Sequence, residues 1–128
     1  AFVKRLLFRW NPSVIIENAP PTIVNTSYVR DKGAEVAFCL RPKLGNASNF
    51  HEDGVLKFVA LHELTHIATL KIGHKTEFWR CFKFVLKEAE AAGLYQPVDY
   101  KKHPEDYCSL RIDYSPAFDN GIDTISDF

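Results

Sequence analysis

A chain of 128 residues, 46% hydrophobic and 25% charged, suits one domain with a single core spanning residues 1–128. Lysine plus arginine equals aspartate plus glutamate at 16 each, without the basic excess expected of a domain that holds nucleic acid by itself. No apolar run approaches the roughly 20 residues needed to span a bilayer, and no signal peptide is visible, so no membrane partner is expected.

The chain opens at Ala1 and contains no Met, the pattern of an excised or processed fragment. Residues 2–10 place Phe2, Leu6 and Trp10, with Val3 and Leu7 alongside, at helical spacing. Asn11-Pro12 ends that helix, because the residue before a proline leaves the α region. Val14-Ile15-Ile16 reads as a short strand, and Pro20-Pro21 as punctuation. Thr26 to Val29 and Ala34 to Leu40 read as a hairpin around Arg30-Asp31-Lys32-Gly33, with Gly33 supplying a positive φ. The second strand is apolar on both faces, which suits the inside of a sheet or the side of a cleft. Arg41 to Asp53 reads as an exposed loop.

A long helix is expected from about Gly54 to Ile72, capped by Asp53 and stopped by Gly73. Apolar residues surround nearly all of its first half, so it should be buried. A second helix should run from about Thr76, its cap, to Ala92, with Phe78, Phe82, Val85 and Ala89 as the buried stripe. One short strand is expected around Cys108 to Tyr114. The outcome is an α+β fold, a small β-sheet packed on a buried helix plus a second C-terminal helix.

The three cysteines (Cys39, Cys81, Cys108) are an odd number without paired metal spacing, and read as buried free thiols. That favours a reducing compartment, so an intracellular (cytoplasm or nucleus) or virion location is expected. Lys71, Lys75, Arg80, Lys83 and Lys87 could form a basic patch, with a solvated helix face as the plainer reading.

The chemistry concentrates in His62-Glu63-Leu64-Thr65-His66. Two histidines four apart on a helix project from one face and can reach one metal ion at about 2.0–2.1 Å. Glu63 then stands beside the metal, placed to take a proton from water. The plainer alternative, two core histidines and a surface glutamate, would put three polar groups on the most apolar helix without partners. One catalytic zinc ion is therefore expected, with three protein ligands and an open position.

His74 is the first candidate for the third ligand. It lies eight residues after His66, about 12 Å along a continued helix at ~1.5 Å per residue, so the helix must stop, and Gly73 permits the reversal. Glu88 or Glu90 on the second helix is the rival, and His103 a remote option. Glu77 could accept a hydrogen bond from a ligand histidine, against the plainer role of a solvated first-turn acid. The interval to His74 and the missing Met exclude a standard metzincin, which pairs HExxHxxGxxH with a Met-turn.

Leu61-His62-Glu63-Leu64-Thr65-His66-Ile67 followed by Gly73-His74-Lys75-Thr76-Glu77-Phe78-Trp79 resembles the WLM/SprT-like group of small zinc metallopeptidases. These show HELxH, a few residues, then His-x-x-x-Phe-Trp/Tyr. The chain is more closely similar to WLM-type proteins of large DNA viruses and protists. That similarity runs through Thr26-Ser27-Tyr28, Lys32-Gly33, Cys39-Leu40-Arg41, Phe58 to Leu64, Asp99-Tyr100, Pro104 and Tyr107-Cys108, about residues 24 to 110. The resemblance implies a zincin-like fold with His62, His66 and His74 as ligands and Glu63 as general base. The His66-to-His74 interval is two residues longer than in many members, which leaves the path of Lys71-Ile72-Gly73 open. Better-known relatives cleave proteins crosslinked to DNA, an activity that here would need DNA-binding regions outside this neutral domain.

The expected reaction is hydrolysis of a protein or peptide substrate, Glu63 accepting a proton from water and passing it to the leaving amine. Strand 34–40, if it forms the cleft edge, would hold substrate by β-augmentation. A donor to the developing oxyanion is sought at Tyr107 first, then Tyr100 or Arg111. A zinc hydrolase acting on another amide, and a zinc-stabilised interaction module, are the alternatives.

Overall fold

The structure, a computed structural model, describes residues 1–18, 27–40, 52–71, 73–108, 110–126 and 128. The Pro20-Pro21 break, Thr26, the Arg41 to His51 part of the loop expected up to Asp53, and Ile72 lie outside the described residues. Among the described residues eight α-helices and β-strands follow one another: α1 (Phe2–Arg9), β1 (Ile15–Glu17), β2 (Tyr28–Arg30), β3 (Glu35–Phe38), α2 (Asp53–Ala68), α3 (Thr76–Ala91), β4 (Glu105–Tyr107) and β5 (Leu110–Ile112). The class is α+β, as the pattern predicts. No helix among the described residues is long and apolar enough to cross a membrane.

The larger sheet has the order β1-β3-β2, with β1 parallel and β2 antiparallel to β3. β3, apolar on both faces, is thus the central strand, with Val36 and Ala37 buried. Of the two expected settings, sheet interior or cleft side, β3 takes the first, and among the described residues it is β2 that borders the cleft. The β2–β3 turn needs more left-handed backbone than one glycine supplies, since Asp31, Lys32 and Gly33 have φ of 51°, 54° and 111°. A Cβ on Gly33 would also stand 3.3 Å from Ile67 Cγ2, because the turn presses against α2.

α2 packs against α1, α3 and β2. Phe58 faces Phe82, Tyr95 and Tyr100 in the main core, and Phe2, Ala68 and Cys81 form a second cluster. The helix caps differ from expectation by one residue each. Glu52, not Asp53, accepts a hydrogen bond from the Gly54 N–H, while Asp53 pairs with Lys57 at 3.1 Å. Thr76 is the first residue of α3, and Lys75 takes the cap position without a side-chain bond. Gly93 closes α3 as expected, with φ 74° and hydrogen bonds from Gly93 to Glu90 and from Leu94 to Ala89. The basic patch is not one surface: Lys83 is buried, its ammonium donating to the Asp119 and Ile122 carbonyls at 2.7 Å each.

Two cysteine expectations are corrected. Cys39 follows β3 and Cys108 sits in the β4–β5 turn, and the two form a buried disulfide across a sequence separation of 69. Only Cys81 is a free thiol, pushed up to about 11 chiefly by burial and therefore unreactive. The cysteines thus lend no support to a reducing compartment. Reduction is expected to lower stability by about 4 kcal/mol, the chain-entropy value for a loop of this length. Urea unfolding with and without reductant measures it.

Candidate metal centre

His62, Glu63 and His66 lie on α2, and His74 follows the turn beyond its end. The four-residue interval stacks the two helical imidazoles on one face. Their Nε2 atoms are 3.1 Å apart, and the Nε2 of His74 stands 3.0 Å from that of His66 and 3.1 Å from that of His62. Three nitrogens converge on one point. Each Nε2 holds either a proton or a lone pair along the same axis, so three meeting head-on cannot all satisfy one another as hydrogen bonds. Neutral imidazoles so arranged could hold one metal ion.

The rings rest on Phe78 in the first turn of α3. It stacks on His66 at 4.3 Å between centroids and meets His62 and His74 edge-on at 4.8 Å. Burial pushes His62 down to about 3 and His66 to about 4, with the neighbouring histidines adding to both shifts. The cluster is therefore neutral at ordinary pH, the state in which imidazole ligates. Burial pushes the Glu63 carboxyl up to about 8. A dication beside it would oppose that shift and favour the carboxylate.

The path from His66 to His74 corrects the expected helix end. α2 stops at Ala68, not Ile72. Its last carbonyls are captured by cations from elsewhere in the chain. Arg5 Nε donates to the Ala68 carbonyl, and Arg9 to that of Ile67, each at 2.8 Å. Lys32 Nζ donates to the carbonyls of His66 (3.2 Å) and Lys71 (2.7 Å) and to Thr69 Oγ1 (3.0 Å). From the other side the Glu77 carboxylate accepts the N–H groups of Leu70 (3.1 Å) and Lys71 (3.0 Å). Glu77 thus holds the turn's backbone, neither a histidine ring nor water alone. Gly73, at φ 88° with open space around it, brings the chain back at His74. Glu77→Ala is expected to weaken metal binding by roughly 10–100-fold, the usual cost of losing a ligand's support. Competition with a chelating dye measures this, with circular dichroism showing the helices retained.

Glu88, Glu90 and His103 are exposed and stand outside the histidine cluster. Tyr107 is buried, and burial pushes its hydroxyl up to about 12. That hydroxyl donates to the Cys39 carbonyl at 2.5 Å and also bonds the Ser27 hydroxyl, which accepts from the Cys39 N–H at 2.9 Å. Its proton is thereby engaged in tying the β4–β5 hairpin to the end of β3. Tyr100 lies wholly inside the core, whereas Arg111 is exposed on β5 with a 3.9 Å ion pair to Asp106.

A cleft opens over the cluster in two lobes of about 380 and 310 Å³, both bordered by Ser27, His62, Glu63 and His74. Tyr28, Asp31 and Lys32 line the first lobe, and Phe58, Trp79, Phe82, Tyr107 and Tyr114 lie among the residues that line the second. Sequence reasoning missed Lys32 as a clamp and Ser27 as a brace. It placed Phe78 in the core without its role beneath the imidazoles, although the interval from His74 to Phe78 carried the signal.

The chain is 33% identical over 112 residues to an uncharacterized protein of Acanthamoeba polyphaga mimivirus, covering 88% of this chain and 55% of that protein. It is 31% identical over 74 residues to an uncharacterized protein of Invertebrate iridescent virus 6, covering 58% and 40%. It is also 32% identical over 90 residues to the DNA-dependent metalloprotease WSS1 homolog 2 of Schizosaccharomyces pombe, covering 70% and 28%. The chain thus spans about half the length of the mimivirus relative and less of the other two. No protein-family profile and no solved structure matches it.

Proposed function

We propose that residues 1–128 form a single catalytic domain of a zinc-dependent endopeptidase of the WLM/SprT-like type, with a zincin-like arrangement of sheet and HExxH helix. The observation that carries this reading is the convergence of the His62, His66 and His74 Nε2 atoms beside the buried Glu63. An all-imidazole donor set suits zinc, and among the described residues no fourth Cys, His or carboxylate joins the three. When bound, zinc would acidify a coordinated water towards about 7 and polarise the scissile carbonyl. Glu63 takes up the water proton and returns it to the leaving amine. Phe78 and the Lys32–Glu77 clamp keep the three rings in register. β2, as the edge strand beside the cleft, offers its main chain to an extended substrate.

The likeness to a DNA-dependent metalloprotease homologue supports a protein substrate. Engagement of DNA-linked proteins is assigned to regions beyond these residues, because the charge here is balanced. The viral relatives support a place in the virion or the infected cell. The test is zinc content by mass spectrometry, then degradation of casein and histone by wild type and Glu63→Gln, with and without single-stranded DNA. Bound zinc without any Glu63-dependent cleavage overturns the peptidase reading.

A further inference from the structure

We propose that the aromatic lobe of the cleft is a side-chain pocket selecting a bulky apolar residue next to the cleaved bond. This rests on the peptidase reading above.

The two lobes meet over His62, Glu63 and His74, so a chain lying across the cluster sends neighbouring side chains into different surroundings. On one side stand Tyr28, Asp31 and Lys32. On the other, Phe58 and Phe82 of the main core form the floor, and Trp79, Ile112 and Tyr114 the walls. The volume of about 310 Å³ lies at the low end of ligand sites, which run from about 300 to 1,000 Å³. That suits one large side chain rather than a folded ligand. Trp79 meets Tyr114 edge-to-face at 5.2 Å, giving the wall a fixed aromatic surface.

Charge adds no competing preference. Arg111 and Asp113 both border the lobe and carry opposite signs. A charged side chain entering it would lose hydration against aromatic rings and, whichever its sign, meet a like charge at Arg111 or Asp113 as well as an opposite one. The β5 wall is also held in place. β4 pairs with β5, Cys108 in their turn is bonded to Cys39, and Tyr107 is tied to Ser27 and the Cys39 carbonyl. The pocket is therefore formed before substrate arrives.

The test uses five peptides identical except for Phe, Leu, Ala, Lys or Asp at one position. Binding to zinc-loaded Glu63→Gln protein is read by calorimetry, and cleavage by wild type is read by mass spectrometry of the products. Phe and Leu peptides are expected to bind and to be cut at least about 10-fold better than the others, as apolar pockets discriminate by roughly 10–200-fold per methylene. The apolar residue should fall on the same side of every cut. Ile112→Lys should move the preference from Phe towards Asp at unchanged zinc content, and Ile112→Val should keep it. Glu63-dependent cleavage without side-chain preference overturns the pocket and spares the peptidase. No Glu63-dependent cleavage overturns the peptidase, and the binding arm then decides the lobe alone: equal binding of all five peptides overturns it.

Discussion

Glu63→Gln is expected to lower peptide hydrolysis by about 10²–10⁴-fold, the usual contribution of a positioned general base, while zinc content stays the same. Gln keeps the shape of a carboxyl group and can occupy the same buried site, so the histidine cluster has no reason to move. It cannot accept a proton. The variant also has a stability signature in the zinc-free state. Burial raises the Glu63 carboxyl from 4.5 to about 8, so the folded protein disfavours the charged form. The stability this group contributes is complete below pH 4.5 and declines as pH rises towards 8. The melting temperature of zinc-free wild type should therefore fall relative to Glu63→Gln across that window. Parallel scans at pH 5 and pH 8 check the sign.

His74→Ala should cost more zinc affinity than the roughly 10–100-fold expected for a lost supporting bond, and hydrolysis with it. The three Nε2 atoms stand within 3.1 Å of one another, so removing one leaves a two-nitrogen site with no described residue to replace it. His74 is exposed and outside both helices, so the fold should survive. Glu88→Ala, on the outer face of α3, should leave zinc binding unchanged. Metal titration of the two variants side by side separates the ligand sets. Equal affinity in His74→Ala and wild type would remove His74 from the site.

The start of α2 and its histidine pair were legible because helical spacing is local. Its end was not. Ala68 is the last helical residue because Arg5, Arg9 and Lys32, all distant in sequence, take the final carbonyls. Gly73 was legible as a reversal, but it acts within the turn rather than at the helix terminus. Local pattern does not choose among His74, Glu88, Glu90 and His103 as companion to the histidine pair, and only tertiary packing brings the His74 Nε2 to those of His62 and His66. β4, with Glu105 and Asp106, is too short and too charged to show a strand pattern. The Cys39–Cys108 bond spans 69 positions, and connectivity of that kind is not encoded in local pattern. The two-sided apolar run of β3 is compatible with a sheet interior, and its neighbours decide that it is the centre.

The same disulfide changes what a broken chain would look like. His62, Glu63, His66 and His74 all lie between Cys39 and Cys108, inside one covalent ring. A single peptide cut anywhere from residue 40 to residue 107 would leave both pieces joined. Nicked molecules, whether cut by a contaminating protease or by one another, would migrate as intact protein on a gel run without reductant. Only reduction would release the fragments.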